Sequence, residues 1–253
     1  MGPAVLASIF LLATASMTSA AGATETDFAS QRRQMVDEVA AMARTTAREV
    51  GRDHFSEPVL RAMGKVPRHR FVPEAVVGAA YRNRPLSIGE GQTISQPYIV
   101  ALSTELIDPQ PGHIVLEVGT GSGYQAAVLA EVVARVYSIE IIEPLGREAA
   151  GRLAALGYGN VEVRIGDGYQ GWPEKAPFDG IVVTAAAPFV PEPLLAQLKP
   201  GGRMVIPVGR HLGEQELLLI VKGADGKAQT RAIIPVRFVP LTGAGATSKP
   251  EGR

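Results

Sequence analysis

The sequence predicts an α/β fold: a doubly wound, mostly parallel sheet, preceded by helices and closed by an antiparallel strand pair. Three observations lead there. From His113 onward, short Val- and Ile-rich runs alternate with helical stretches. A glycine-rich turn joins the first run to the first helix, and acidic residues stand at the ends of successive runs. Continuous apolar runs separated by helices are what a parallel sheet covered on both faces requires. At 253 residues, 46% hydrophobic and 20% charged, the chain suits one globular domain.

The elements follow in chain order. Residues 1–23 form a signal-like leader: an apolar run over 5–12, then small residues, with Ala21-Gly22-Ala23 as a cleavage-site pattern. It is too short to span a bilayer, and no Lys or Arg precedes Arg32. Residues 30–112 hold N-terminal helices and an active-site loop. Ser30 is a plausible N-cap for a helix whose Met35, Val39, Met42 and Val50 share a face before Gly51 stops it. Ser56 caps a second helix, with Pro58 in its first turn and Gly64 just past its end. Pro67, Pro73, Pro85, Gly89, Gly91 and Pro97 then punctuate a long irregular stretch, a pattern usually tied to function. Residues 113–241 form the cofactor-binding core, one domain with 30–112. Its strands are expected over 114–118, 136–140, 161–165, 180–184 and 204–208. Helices are expected over 124–133, 144–156 and 191–198. Strands over 216–221 and 233–239, around the turn at Ala224-Asp225-Gly226-Lys227, close the sheet as an antiparallel pair. Residues 242–253 read as a flexible, frayed tail.

Composition excludes several classes. Lys and Arg balance Asp and Glu at 25 each, so nothing in the overall charge points to a nucleic-acid or membrane partner. The absence of Cys excludes disulfides, thiolate metal sites and a Cys nucleophile. His54, His69, His113 and His211 are scattered, without a pair at ligand spacing, and no metal is expected.

The chemistry concentrates after the first strand, in Gly119-Thr120-Gly121-Ser122-Gly123. This is the position at which an open α/β sheet binds its ligand, and glycine lets the backbone approach that ligand closely. A dinucleotide fingerprint would place glycine where Tyr124 stands. Three strand-end acids refine the choice. Glu117 could face a cationic sulfonium or an amino group, Glu140 could accept both ribose hydroxyls, and Asp167 could accept from an adenine amino group. This Rossmann-like arrangement points to S-adenosylmethionine as cofactor, with S-adenosylhomocysteine as product. A nicotinamide dehydrogenase is the main competitor, opposed by Tyr124.

Several stretches resemble the protein-L-isoaspartate O-methyltransferase family: Val66-Pro67-Arg68 with Phe71-Val72-Pro73, Gly91-Gln92-Thr93-Ile94-Ser95-Gln96-Pro97, Gly166-Asp167-Gly168, Thr184-Ala185-Ala186 and Val236-Arg237-Phe238-Val239-Pro240-Leu241. The resemblance covers about residues 44–241. It implies methylation of the free carboxylate of isoaspartyl residues in damaged peptides and proteins, which initiates repair. It assigns Ser95 as the catalytic residue orienting that carboxylate. Thr93, Gln96 and Val239 would position the substrate. Ile94, Ser95, Gly119, Thr120, Gly121, Gly123, Glu140, Ile141, Asp167, Gly168 and Gln215 would join Glu117 around the cofactor. A monomer is expected. Because the cofactor is made in the cytosol, a cytoplasmic location is expected, with export as the alternative if the leader is cleaved.

Overall fold

The computed structural model describes residues 24–210 and 213–247. The leader, His211 and the last six residues lie outside the described part.

The chain opens with helix α1 (Glu25–Thr45), followed by the single turn α2 (Ala47–Val50). α1 starts earlier than expected, and Ser30 lies within it. The reason is a capping box: Asp27 N–H donates to Thr24 Oγ1 (3.3 Å), while the Asp27 carboxylate accepts from Thr24 N–H (2.9 Å). Gly51, in the left-handed region at φ +81°, ends α2 as anticipated. Helix α3 (Glu57–Lys65) has Pro58 in its first turn but runs through Gly64, stopping before Pro67. Ser56 precedes it, yet its hydroxyl bonds the Glu105 carboxylate rather than capping the helix.

The irregular stretch contains a small hairpin, β1 (Leu86–Gly89) paired with β2 (Gln92–Ile94), and leads into α4 (Pro97–Leu106). The central sheet then unfolds as β3 (Ile114–Val118), α5 (Tyr124–Ala130), β4 (Arg135–Glu140), α6 (Glu143–Ala155), β5 (Val161–Ile165), β6 (Phe178–Val183), α7 (Glu192–Gln197), β7 (Leu198–Gly209), β8 (Gln215–Lys222) and β9 (Ala228–Val236). Its strand order is β5-β4-β3-β6-β7-β8-β9, parallel through β7, with β8 and β9 antiparallel. The expected doubly wound, mostly parallel sheet with a closing pair is therefore present. β9 ends at Val236, so the last expected strand is shifted and Val239 lies beyond it.

Strand alternation sorts the core onto two faces. Val115, Val136, Val182 and Val205 pack with α1, α3, α4 and α5, whereas Leu116, Val118, Ile139 and Ile181 pack with Trp172, Leu194 and Leu241. Sequence order reverses beside β3, with β4 on one flank and β6 on the other. The carboxyl ends of β3, β4 and β6 consequently converge on a crevice suited to a ligand. Residues 242–247 are not frayed in the structure. A short helical turn, Ala244–Thr247, packs back, and Ala244 N–H donates to Asp167 Oδ2 (2.8 Å). Among the described residues, no helix is long and apolar enough to cross a membrane.

Candidate active site

Two cavities meet above the carboxyl edge of the sheet. One is a cleft of about 530 Å³, counting its open mouth, walled by Gly119, Gly121, Glu140, Ile141 and Gly168. The other, about 980 Å³ counted in the same way, is walled by Ser95, Gln96, Arg237 and Phe238. Thr93 and Thr184 line both. A narrow third recess, shared by Ile94, Ser95, Thr120 and Tyr124, joins the hairpin to the glycine loop.

The glycine loop is held from below. Gly119 (φ +95°) donates its N–H to Ile139 O (2.8 Å) and its carbonyl accepts from Thr184 Oγ1 (2.5 Å). A Cβ there would run into the Thr184 hydroxyl. Gly123 plays a different part from the one expected. It lines none of these three cavities; its missing Cβ makes room for Leu153, which would stand 3.2 Å from such an atom. Tyr124 opens α5 and is buried against Phe71, with ring centroids 5.6 Å apart. That aromatic contact explains why glycine is absent at this position.

Glu140 closes β4 and is nearly buried in the cleft wall. Its two oxygens accept from Gly121 N–H (2.8 Å) and Ile142 N–H (2.9 Å), which fixes the carboxylate's orientation. Ile141 beside it is 39% exposed, an apolar surface at the cleft mouth.

Four residues fall elsewhere than expected. Glu117 is fully buried on the opposite face of β3, because alternation gives the cleft to Val118. Its carboxyl accepts from Ser138 Oγ, which pairs with Thr120 Oγ1 (2.5 Å), and its other oxygen has no partner. Burial pushes its pKa up to about 8, so it is largely neutral near pH 7 and does not face a cofactor cation. Asp167 stands behind the wall to which Gly168 contributes. Its oxygens accept from Tyr169 N–H (2.9 Å) and Ala244 N–H (2.8 Å). Gln215 is buried away from the cleft, accepting from Phe238 N–H (2.7 Å) and donating to Phe238 O (3.3 Å). It pins the segment after β9. Val239 lines the glycine-loop cleft, while Arg237 and Phe238 take the place expected for it beside Ser95.

Ser95 is half-buried, and its hydroxyl has no partner among the described residues. Thr93 and Gln96 accompany it as expected. Thr184 and Arg237 were missed as individual residues, although both lie in stretches that carry the resemblance. The strand-end position that singled out Glu140 applies equally to Thr184. Among the described residues, no group of His, Cys, Asp or Glu could hold a metal ion.

Comparison with known proteins agrees with this geometry. The sequence model described as protein-L-isoaspartate(D-aspartate) O-methyltransferase matches residues 46–246. Protein-L-isoaspartate O-methyltransferase 2 of Polaromonas sp. is 61% identical over 209 residues, covering 83% of this chain and 99% of the relative. Protein-L-isoaspartate O-methyltransferase 1 of Cupriavidus necator is 57% identical, covering 95% and 92%. Among solved structures, a protein-L-isoaspartate O-methyltransferase superposes with a TM-score of 0.74 at 29% identity, over 84% of this chain and 66% of that one. The chain belongs to the protein-L-isoaspartate(D-aspartate) O-methyltransferase family.

Proposed function

We propose that the chain methylates the free α-carboxylate of isoaspartyl residues at the junction of the two cavities, with Ser95 orienting the acceptor. The observation that carries this reading is the shared wall. Thr93 and Thr184 border both the glycine-loop cleft and the cavity holding the unpartnered Ser95 hydroxyl.

The cleft suits S-adenosylmethionine. Glu140 is anchored by two backbone amides, and its remaining lone pairs can accept from a ribose diol. Gly119 and Gly121 let the backbone approach the ligand, and Ile141 offers an apolar face to the base. S-adenosylmethionine supplies an electrophilic methyl on a sulfonium and leaves as S-adenosylhomocysteine.

An ionised carboxylate is already a nucleophile, so the chain needs to position it and exclude water rather than deprotonate it. Ser95 donates to one carboxylate oxygen and turns the other toward the donor cleft. Thr93 and Gln96 complete the acceptor wall. The adjoining backbone amide nitrogen then attacks the ester carbonyl, expelling methanol and closing a succinimide, whose hydrolysis returns some normal aspartate. We take the working unit to be a monomer and place the reaction in the cytoplasm, where the cofactor is made.

Ser95→Ala tests the assignment. A hydrogen bond to a charged group is worth about 1.5–3 kcal/mol, so kcat/KM for an isoaspartyl peptide should fall about 10- to 150-fold. Affinity for S-adenosylhomocysteine should hold within about twofold, since other residues supply the donor cleft. A variant with the full wild-type rate would remove Ser95 from the mechanism.

A further inference from the structure

Arg68 is the largest fully buried side chain in the structure that carries a permanent charge. It stands in the short helical turn Arg68–Phe71, remote in sequence from the glycine loop. Its Nε donates to Ala80 O (2.8 Å) and its Nη2 to Ser95 O (2.8 Å), while Nη1 makes no firm hydrogen bond among the described residues and has the Tyr124 phenol as its polar neighbour. The guanidinium carbon lies 4.7 Å over the ring of Tyr124. Among the described residues, no carboxylate comes within ion-pair distance of it. A buried arginine is ordinarily satisfied by a carboxylate in a two-pronged pair. Here the surrounding polar groups are the phenols of Tyr124 and Tyr81 and two carbonyls.

Burial pulls the Arg68 pKa down to about 10, which still leaves the group cationic at neutral pH. The charge is therefore retained without a counter-ion. Two of its three contacts have a functional direction. One is the backbone of Ser95; the other is the first residue of α5, immediately after the glycine loop. Ser95 and Tyr124 both border the recess that joins the two loops.

We infer that Arg68 is a positioning residue for methyl transfer: it clamps the Ser95 loop onto the first turn of α5, and its unneutralised charge behind Ser95 is met by the incoming acceptor carboxylate. The inference rests on the reading that a carboxylate is the acceptor at Ser95. It gives a role to a buried cation that lines none of the three cavities and is held beside the acceptor site without a carboxylate partner. It also explains why the group is an arginine, whose planar fork can hold a carbonyl while stacked on an aromatic ring.

The test compares Arg68→Lys, which keeps the charge, with Arg68→Met, which keeps most of the volume. Both should bind S-adenosylhomocysteine within about threefold of wild type, because neither touches the cleft wall. Arg68→Met should lose about 100-fold in kcat/KM for an isoaspartyl peptide, and Arg68→Lys about 10-fold, a partial rescue by charge alone. Equal activity of Arg68→Met and wild type would overturn the inference. So would equal losses in the two variants, which would mark a structural anchor without an electrostatic part. Should Arg68→Met fail to fold, nitrogen-15 spectra of the wild-type guanidinium decide. Its Nη signals should move on adding isoaspartyl peptide with S-adenosylhomocysteine, and not with the aspartyl twin; unmoved signals would overturn the inference. A wild-type chain that labels no isoaspartyl peptide would instead defeat the functional reading itself.

Discussion

Glu117→Gln should stabilise the fold near pH 8 and flatten its dependence on pH. Glu117 is fully buried beneath the glycine loop, bonded by Ser138 through one oxygen and unpartnered at the other. Burial, reinforced by the nearby Glu140 carboxylate, moves its pKa from 4.5 to about 8. Between those values the folded chain holds a proton that the unfolded chain has released. Stability contributed by this group is thus complete below about pH 4.5 and is lost as pH rises toward about 8. At about 1.4 kcal/mol per unit, the whole window amounts to roughly 5 kcal/mol as an upper figure. Glutamine cannot ionise and keeps an acceptor for Ser138, but buries an unpaired amide N–H₂ at a cost of about 1–3 kcal/mol. The net gain near pH 8 is then about 2–4 kcal/mol, shrinking toward zero or reversing at pH 5. Urea unfolding of both proteins at pH 5, 6, 7 and 8 measures it. The gap should widen by roughly 1 kcal/mol per pH unit. A gap that stays constant would refute the argument and return Glu117 to an ionised state, as a cofactor-facing carboxylate would require.

Three further outcomes follow from the site. Glu140→Ala removes the carboxylate assigned to the ribose diol, and two charge-assisted hydrogen bonds imply a loss of about 3–4 kcal/mol. Calorimetry should show S-adenosylhomocysteine binding weakened by roughly 200-fold or more, and unchanged affinity would exclude Glu140 from the cleft. Thr184→Val deletes the donor to Gly119 O and should cost about 1–2 kcal/mol of cofactor affinity with little change in fold stability. Ending the chain after Thr242 removes the Ala244–Asp167 bond and should lower unfolding stability by about 1–3 kcal/mol, whereas a frayed tail would contribute nothing.

Much of the fold was legible because parallel strands buried on both faces leave continuous Val and Ile runs with abrupt ends. β3 occupies the expected residues for that reason, while the half-buried edge strand β5 does so through the alternation of Val161, Val163 and Ile165 with charged residues. α4 left no comparable mark. Nearly all its side chains are buried, so no polar stripe reveals the helical period. The start of α1 is set by the Thr24–Asp27 capping box immediately after the leader, six residues before the cap that Ser30 suggests. Within the site, residue type and strand-end position point to Glu140, and the loop resemblance to Thr93 and Ser95, and all three line the cavities. Strand-end position does not specify a face, however, and one residue of alternation separates Glu117 from the cleft. Gln215 and Val239 were displaced by the path of the chain around β8 and β9, which short-range patterns do not encode. Arg68 lies in a stretch that carries the resemblance, but nothing local marks it as buried, since arginine is ordinarily exposed.

The most direct test of the account is methyl incorporation from labelled S-adenosylmethionine into an isoaspartyl peptide and its aspartyl twin, matched in sequence. The two differ only in where the free carboxylate stands relative to the backbone, which is what the cavity beside Ser95 must distinguish. The account predicts labelling of the isoaspartyl peptide with the aspartyl twin near background. Equal labelling of both would contradict it, leaving a carboxyl methyltransferase without repair specificity.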